Sequence, residues 1–278
     1  MTARSDENTA RAFATSWNNL PAGSVYTTVQ FEDWLLPLGR QDVEGKRVLE
    51  LGCGNASLLV HMASWGPAYL EGVDLGDSIV SARKNMAQAG VGSGQWKVVQ
   101  ADLTQYESVG FDVVYCIGVL HHLKDPKKGF DSVIRNTKPG GRFHCWVYAR
   151  EGNGIVRNFV DPLRKLVSNL PWWFTKYAVA TPLAVPFFLY AKLLPFLKTV
   201  SVFRKLPLFE YSLWIAQREF GFFRHVAFDQ LVTPQTAYLR KTTIEQWLAS
   251  TPGVDPSTAY VTMRNGNSWK FGATRRSA

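Results

Sequence analysis

Val48-Leu49-Glu50-Leu51-Gly52-Cys53-Gly54 (VLELGCG) is the stretch whose reading decides the fold. An apolar run suited to a buried strand stops at Gly-x-Gly, and Asn55-Ala56-Ser57 leads from there into a helical pattern. Glycine lets a backbone turn sharply and approach a ligand that a side chain would block. Taken alone, this is the signature of a nucleotide-like ligand. Ser57 replaces the third glycine of the GxGxxG fingerprint, which weighs against a nicotinamide or flavin site.

Outward from this turn, short β-rich runs alternate with helical stretches, the pattern of a parallel sheet covered on both faces. The runs are Arg47–Gly52, Ala68–Leu75, Trp96–Ala101, Phe111–Gly118 and Arg142–Ala149. Asp77 is expected to cap a helix that Gly90 closes, and Asp125-Pro126 to start another that Lys138–Gly141 (KPGG) stops. Near the end, Thr242-Thr243-Ile244-Glu245 matches a capping box before a helix to Ser250. Two β-rich stretches, Ala259–Met263 and Ser268–Thr274, flank the hairpin turn Asn265-Gly266, so an antiparallel pair closes the sheet. Between Glu151 and Arg240 the rhythm breaks, with six prolines from Asp161 to Pro207 and long aromatic and aliphatic runs. That region reads as a helical insertion over the end of the sheet.

Two acids give the glycine turn its meaning. Asp74 ends the second strand twenty residues beyond Gly54, where a carboxylate can accept hydrogen bonds from ribose hydroxyls. Asp102 ends the third strand in VVQADLTQY; there a carboxylate can accept from an adenine amino group, with Leu75 and Leu103 against the ring. Either acid alone is equally an ordinary strand-end cap. Glu50 lies mid-strand in a run meant for burial, where an unpaired carboxylate is costly.

The ordered set VLELGCG, GVDL, QADL, FDVVYCIGVLHHL and KPGGRFHCW closely resembles the class I S-adenosylmethionine-dependent methyltransferases across roughly the first 150 residues. The resemblance implies an α/β fold: a Rossmann-like, doubly wound, seven-stranded, mostly parallel sheet with an antiparallel C-terminal hairpin and a helical insertion after the fifth strand. It implies an enzyme whose cofactor is S-adenosylmethionine. Glu50, Gly52 and Gly54 would line its methionine and ribose part, Asp74 its ribose, Asp102 and Leu103 its adenine, and backbone near Ile117 its methionine moiety. The expected division is an N-terminal helical cap over 1–40, a cofactor-binding core over 41–150 and 241–278, and the insertion over 151–240.

Methyl transfer is an in-line displacement, so the protein aligns the nucleophile and excludes water. A base is needed only where the nucleophile carries a proton. Similarity to phosphoethanolamine methyltransferases implies His122 as that base with Tyr26 as its partner; helix-start packing is the alternative role for His122. Tyr148, Glu151, Asn153 and Asp229 are candidates to orient an acceptor, structural hydrogen bonding being the alternative for each. Cys116-Ile117-Gly118 stands where an Asn/Asp-Pro-Pro-Tyr/Phe motif aligns an adenine amine, and there is no Pro-Cys nucleophile. No nucleic-acid partner is expected, although the net charge is +9.

With 278 residues, 46% hydrophobic and 19% charged, the chain can bury a full core. Cys53, Cys116 and Cys145 lack the paired spacing of a zinc site, so neither metal nor disulfide is expected. MTARSDENTA has no apolar segment after its basic residue, which predicts a cytoplasmic chain without signal or N-terminal anchor. Eight Lys/Arg against three acids between Glu151 and Glu210, interleaved with PWWF, PFFLY and LLPFL, suit a lid over an apolar acceptor or a peripheral contact of residues 160–210 with the inner face of a membrane. The longest uncharged run, Tyr177–Ala191, is 15 residues with two prolines, which argues against a spanning helix. The expected reaction is O-methylation of a small apolar, lipid-linked or natural-product acceptor. Carbon methylation of a quinone, isoprenoid or polyketide-like ring and a non-catalytic binding subunit are the alternatives.

Overall fold

The computed structural model describes residues 7, 9–11, 26–108, 110–168, 170–233 and 235–277. Its centre is a seven-stranded sheet in the order β3-β2-β1-β4-β5-β7-β6. The strands are β1 Arg47–Leu51, β2 Tyr69–Asp74, β3 Trp96–Gln100, β4 Phe111–Ile117, β5 Thr137–Tyr148, β6 Tyr260–Arg264 and β7 Ser268–Thr274. The first five are parallel, while β7 runs antiparallel to both β5 and β6. The order reverses beside β1, which leaves a crevice beyond the carboxyl ends of β1 and β4, where ligands of such sheets sit.

Alternation along β1 sets the two faces. Leu49 and Leu51 join Phe130, Phe143 and Phe271 on one side, and Val48 joins Phe31, Met62 and Tyr115 on the other. The helices that cover these faces include α1 Thr28–Leu35, α2 Arg40–Val43, α3 Ser57–Ala63, α4 Ile79–Gln88 and α5 Pro126–Asn136. Thr27 and Gln30 cap α1 reciprocally, and α1 supplies Phe31, Trp34 and Leu35 to the core. Of the expected N-terminal cap, residues 1–6, 8 and 12–25 lie outside the described residues. Asp125 caps α5 as expected, accepting from the amides of Lys127 and Lys128.

Three local expectations are corrected. Ser78, not Asp77, precedes α4, and its hydroxyl bonds Asp74 instead of the helix. The KPGG segment lies inside β5 as a bulge, because Thr137 already pairs with Phe111 before the register resumes at Arg142 and Val113. The Thr242 capping box does not form: α10 (Lys241–Ser250) starts a residue earlier, with Arg240 at its cap position and no side-chain bond.

The insertion leaves β5 and returns at nearly the same place, since Ala149 bridges Leu239. It comprises α6 Asp161–Val167, α7 Trp172–Leu197, α8 Phe209–Ile215 and α9 Phe220–Val232. Its buried residues form clusters of their own, around Phe228 and around Phe223. The length argument made from the uncharged run fails here. Pro186 and Pro195 sit inside α7 without ending it, and π-type turns over Thr175–Ala180 carry it back to Trp172. The result is a 26-residue helix of mean hydropathy 1.5, long and apolar enough to cross a membrane by length and composition alone.

Candidate active site

The turn after β1 is tied to β2, because the amides of Gly52 and Cys53 both donate to the Val73 carbonyl, at 2.7 and 3.0 Å. Gly52 has φ +83°, and a Cβ there would stand 2.4 Å from a methyl of Val119. Both facts require glycine. Ser57, in place of the third glycine, donates its hydroxyl to Asn55 Oδ1 at 2.6 Å, so the first turn of α3 is held by the loop itself.

Parallel pairing sets Glu50 beside Tyr115 on neighbouring strands. The Tyr115 hydroxyl donates to Glu50 Oε2 at 3.0 Å, and the carboxyl is 1% exposed. Burial pushes its pKa up to about 8, only partly offset by that hydrogen bond. Burial alone thus favours the protonated carboxyl near neutral pH. Asp74 accepts from the amides of Gly54 (2.8 Å) and Gly76 (2.9 Å) and from Ser78 Oγ (3.3 Å). Burial raises its pKa while these bonds oppose the rise. Asp102 accepts from the amide and hydroxyl of Thr104, each at 2.8 Å, and from Gln105 Nε2 at 3.1 Å. Both acids thus act as caps, with acceptor sites to spare. They also face one cavity of about 560 Å³ that reaches Leu75, Leu103 and Ile117.

That cavity runs on under the insertion, where its walls become aromatic and aliphatic. His122 and Tyr26 both line it. His122 Nδ1 lies 3.0 Å from the Gln235 carbonyl, which can only accept, so Nδ1 carries the proton. Burial lowers the pKa of His122 to about 4. Tyr26 packs edge-on against Trp34 at 4.6 Å, and burial, with Asp229 as the next cause, holds its hydroxyl well above its usual range.

Two acceptor candidates are brought to the cavity. Tyr148 accepts from Gln230 Nε2 at 2.8 Å, and Asp229 Oδ2 lies 3.2 Å from Nε2 of His225. Two do other work. Glu151 accepts from the Lys241 amide and the Trp269 indole, at the start of α10 and outside the cavity wall. Asn153 touches the cavity, but its amide nitrogen is committed to the carbonyls of Ala149 (2.7 Å) and Asn267 (2.6 Å), which fastens the exit from β5. His225 went unnoticed in the sequence, whereas Gln230 stood beside Asp229 in the same polar cluster. His-x-x-x-Asp across one helical turn was the available signal, hidden inside an apolar run.

A family model described as a methyltransferase domain matches residues 26–181, more than half of the chain. A ubiquinone biosynthesis O-methyltransferase of Neisseria meningitidis serogroup C is 34% identical over 105 residues, 37% of this chain and 44% of that protein. One from Hahella chejuensis is 36% identical over 102 residues, covering 36% of this chain and 42% of the relative. The chain thus spans less than half the length of these curated relatives. An O-methyltransferase family protein from Burkholderia thailandensis shares the fold at TM-score 0.51 and 13% identity, over 90% of this chain and 56% of that one. The apo form of the S-adenosylmethionine-dependent methyltransferase SibL does so at TM-score 0.53 and 15% identity, over 89% and 55%. A strand-and-glycine turn, two strand-end acids over one cavity and a sheet closed by an antiparallel hairpin agree with this match: the chain belongs to the class I S-adenosylmethionine-dependent methyltransferases.

Proposed function

We propose that the protein transfers the methyl group of S-adenosylmethionine to a hydroxyl of an apolar small molecule held beneath the insertion. One observation carries this reading: a single cavity joins the Glu50, Asp74 and Asp102 end to a chamber walled by α7 and α9. The residues fit the cofactor. Glu50 is a buried carboxyl suited to a cationic group, and the methionine end of the cofactor is cationic. Asp74 would take the ribose hydroxyls, Asp102 with Leu75 and Leu103 the adenine, and the Gly52–Gly54 turn would let the backbone close on the ligand. When bound, the cofactor supplies a methyl on a sulfonium, open to displacement from the opposite side.

His225 is the base this geometry favours. Asp229 stands beside its ring to balance the charge it gains, whereas His122 is buried with Nδ1 engaged and resists protonation. His225 would take the proton of the acceptor hydroxyl as its oxygen gains the methyl group and the demethylated cofactor is released. Tyr148, held by Gln230, and Tyr26 orient the acceptor, and the aromatic walls exclude water. The protein works from the cytoplasmic side, as a peripheral partner of a membrane through residues 160–210.

The test is incubation with methyl-labelled cofactor and a panel of apolar phenols and polyprenyl alcohols. Label that hydriodic acid releases as methyl iodide is oxygen-bound. Label that resists release would replace O- with C-methylation, and the absence of any labelled product across the panel would count against the acceptor class. His225→Gln should lower kcat at least tenfold with cofactor affinity unchanged; an equal loss in His122→Ala alone would return the role to His122.

A further inference from the structure

Sixteen of the twenty large apolar side chains most exposed among the described residues lie between Ile155 and Leu206, so the exposed apolar surface is concentrated on the insertion. Scattered exposed leucines are ordinary, but one continuous patch marks a surface with a partner. Along α7, Val185, Leu189, Leu193 and Phe196 follow one another at helical spacing on the outward side. Ala184, Ala191 and Leu194 point inward, and the two alanines pack with Ile215 and Phe223. A helix seated lengthwise on its own domain presents its outer stripe along a surface; crossing a bilayer would strip it from α8 and α9. The 26-residue span of α7 therefore suits an in-plane position.

Charge identifies what lies against the stripe. From Pro162 to Phe209 there is no acid, and there are seven cations. Arg164 is buried and paired with Asp161. Lys165, Lys176, Lys192, Lys198, Arg204 and Lys205 make no ion pair among the described residues. Lys176 Nζ stands 5.8 Å from the Trp172 ring and Lys192 Nζ 5.2 Å from that of Phe188, with the apolar stems along the patch and the ammonium groups at its edge. Protein interfaces are depleted in lysine. Exposed Trp172, Trp173 and Phe174, interleaved with unopposed lysines, match the boundary of an anionic bilayer.

The same patch meets the cavity. Ile155, Phe159 and Leu183 line it and are also 43%, 72% and 41% exposed, so they form its rim. We infer that α6, α7 and residues 198–206 dock on an anionic bilayer and that the cavity opens past Phe159 onto the lipid, from which the acceptor is drawn. The docking stands on the surface alone; the delivery of an acceptor rests on the methyl-transfer reading.

Two measurements on the full chain, neither using turnover, test it. In co-sedimentation, the protein should bind vesicles containing phosphatidylglycerol at least tenfold more strongly than pure phosphatidylcholine. Lys198→Glu/Arg204→Glu/Lys205→Glu should lower that binding at least tenfold while calorimetric affinity for S-adenosylhomocysteine stays unchanged. Equal binding to the two vesicles, or a triple variant that sediments like the parent, would overturn the docking. For the rim, Phe159→Cys carrying an environment-sensitive fluorophore should shift to the blue on adding anionic vesicles, and Val80→Cys, outside the patch, should not; the native cysteines are all buried. An unshifted probe at 159 on sedimenting protein would overturn the opening to lipid. Loss of cofactor binding in the parent protein would instead count against the methyl-transfer reading and leave the docking intact.

Discussion

Glu50 is buried beside Tyr115, and under the proposed function it meets the positive charge of the cofactor. Its folded pKa, near 8, is raised above the ordinary 4.5, so its contribution to stability is full below 4.5 and is lost as the pH rises through 8. Unfolding of the cofactor-free protein should show that decline between those limits, and Glu50→Gln should flatten it. A cationic ligand reverses the balance: calorimetry at pH 7 in buffers of different ionisation enthalpy should show about one proton released per site, absent in Glu50→Gln. Zero release in the parent would mean that Glu50 does not meet the cation. His122 and His144 run the other way. Burial lowers them to about 4 and about 3, and His144 is held between the Tyr260 hydroxyl (2.7 Å) and the Trp34 carbonyl (2.8 Å). A depressed pKa gives stability that is full above about 6.5 and lost as the pH falls through the folded values. His144→Gln should therefore lessen the acid sensitivity of the denaturation midpoint, and an unchanged acid limb would contradict this assignment.

At the scale of elements, β1 to β4 were legible because each is a short β-rich run closed within two residues by glycine or an acid, and all seven strands have edges within a residue or two of those expected apart from the early start of β5. Caps were less so. Asp125 held because Pro126 fixes the first turn behind it, and Asp125→Ala should cost about 1 kcal/mol by chemical denaturation. Thr242 failed because Lys241 already has its amide bound by Glu151, which starts the helix early. Gly52→Ala should destabilise by about 1–3 kcal/mol, since the new methyl meets Val119 across a tight turn. The length of α7 was hidden because lysines at 176 and 192 and three prolines (Pro182, Pro186 and Pro195) divide a helix that tertiary contacts hold together. His225 was hidden for a similar reason: its partner lies one helical turn away, a relation that exists only once α9 has formed.

The whole molecule is a seven-stranded core with an insertion that is packed around its own apolar clusters and enters and leaves beside the Ala149–Leu239 bridge. Replacing residues 156–236 by a short Gly/Ser linker should keep cofactor binding and abolish methyl transfer, as measured by calorimetry and label incorporation. The proposed donor end was legible because local runs and single acids define it; the proposed acceptor end is assembled from residues 155–160, α7, α8 and α9, and no one segment states it. All of this depends on Glu50, Asp74 and Asp102 facing a common ligand. Calorimetric titration with S-adenosylhomocysteine tests that most directly: the parent protein should give a saturable one-to-one isotherm, weakened at least tenfold in Asp74→Asn, whereas no binding by the parent, or equal binding by the variant, would contradict it.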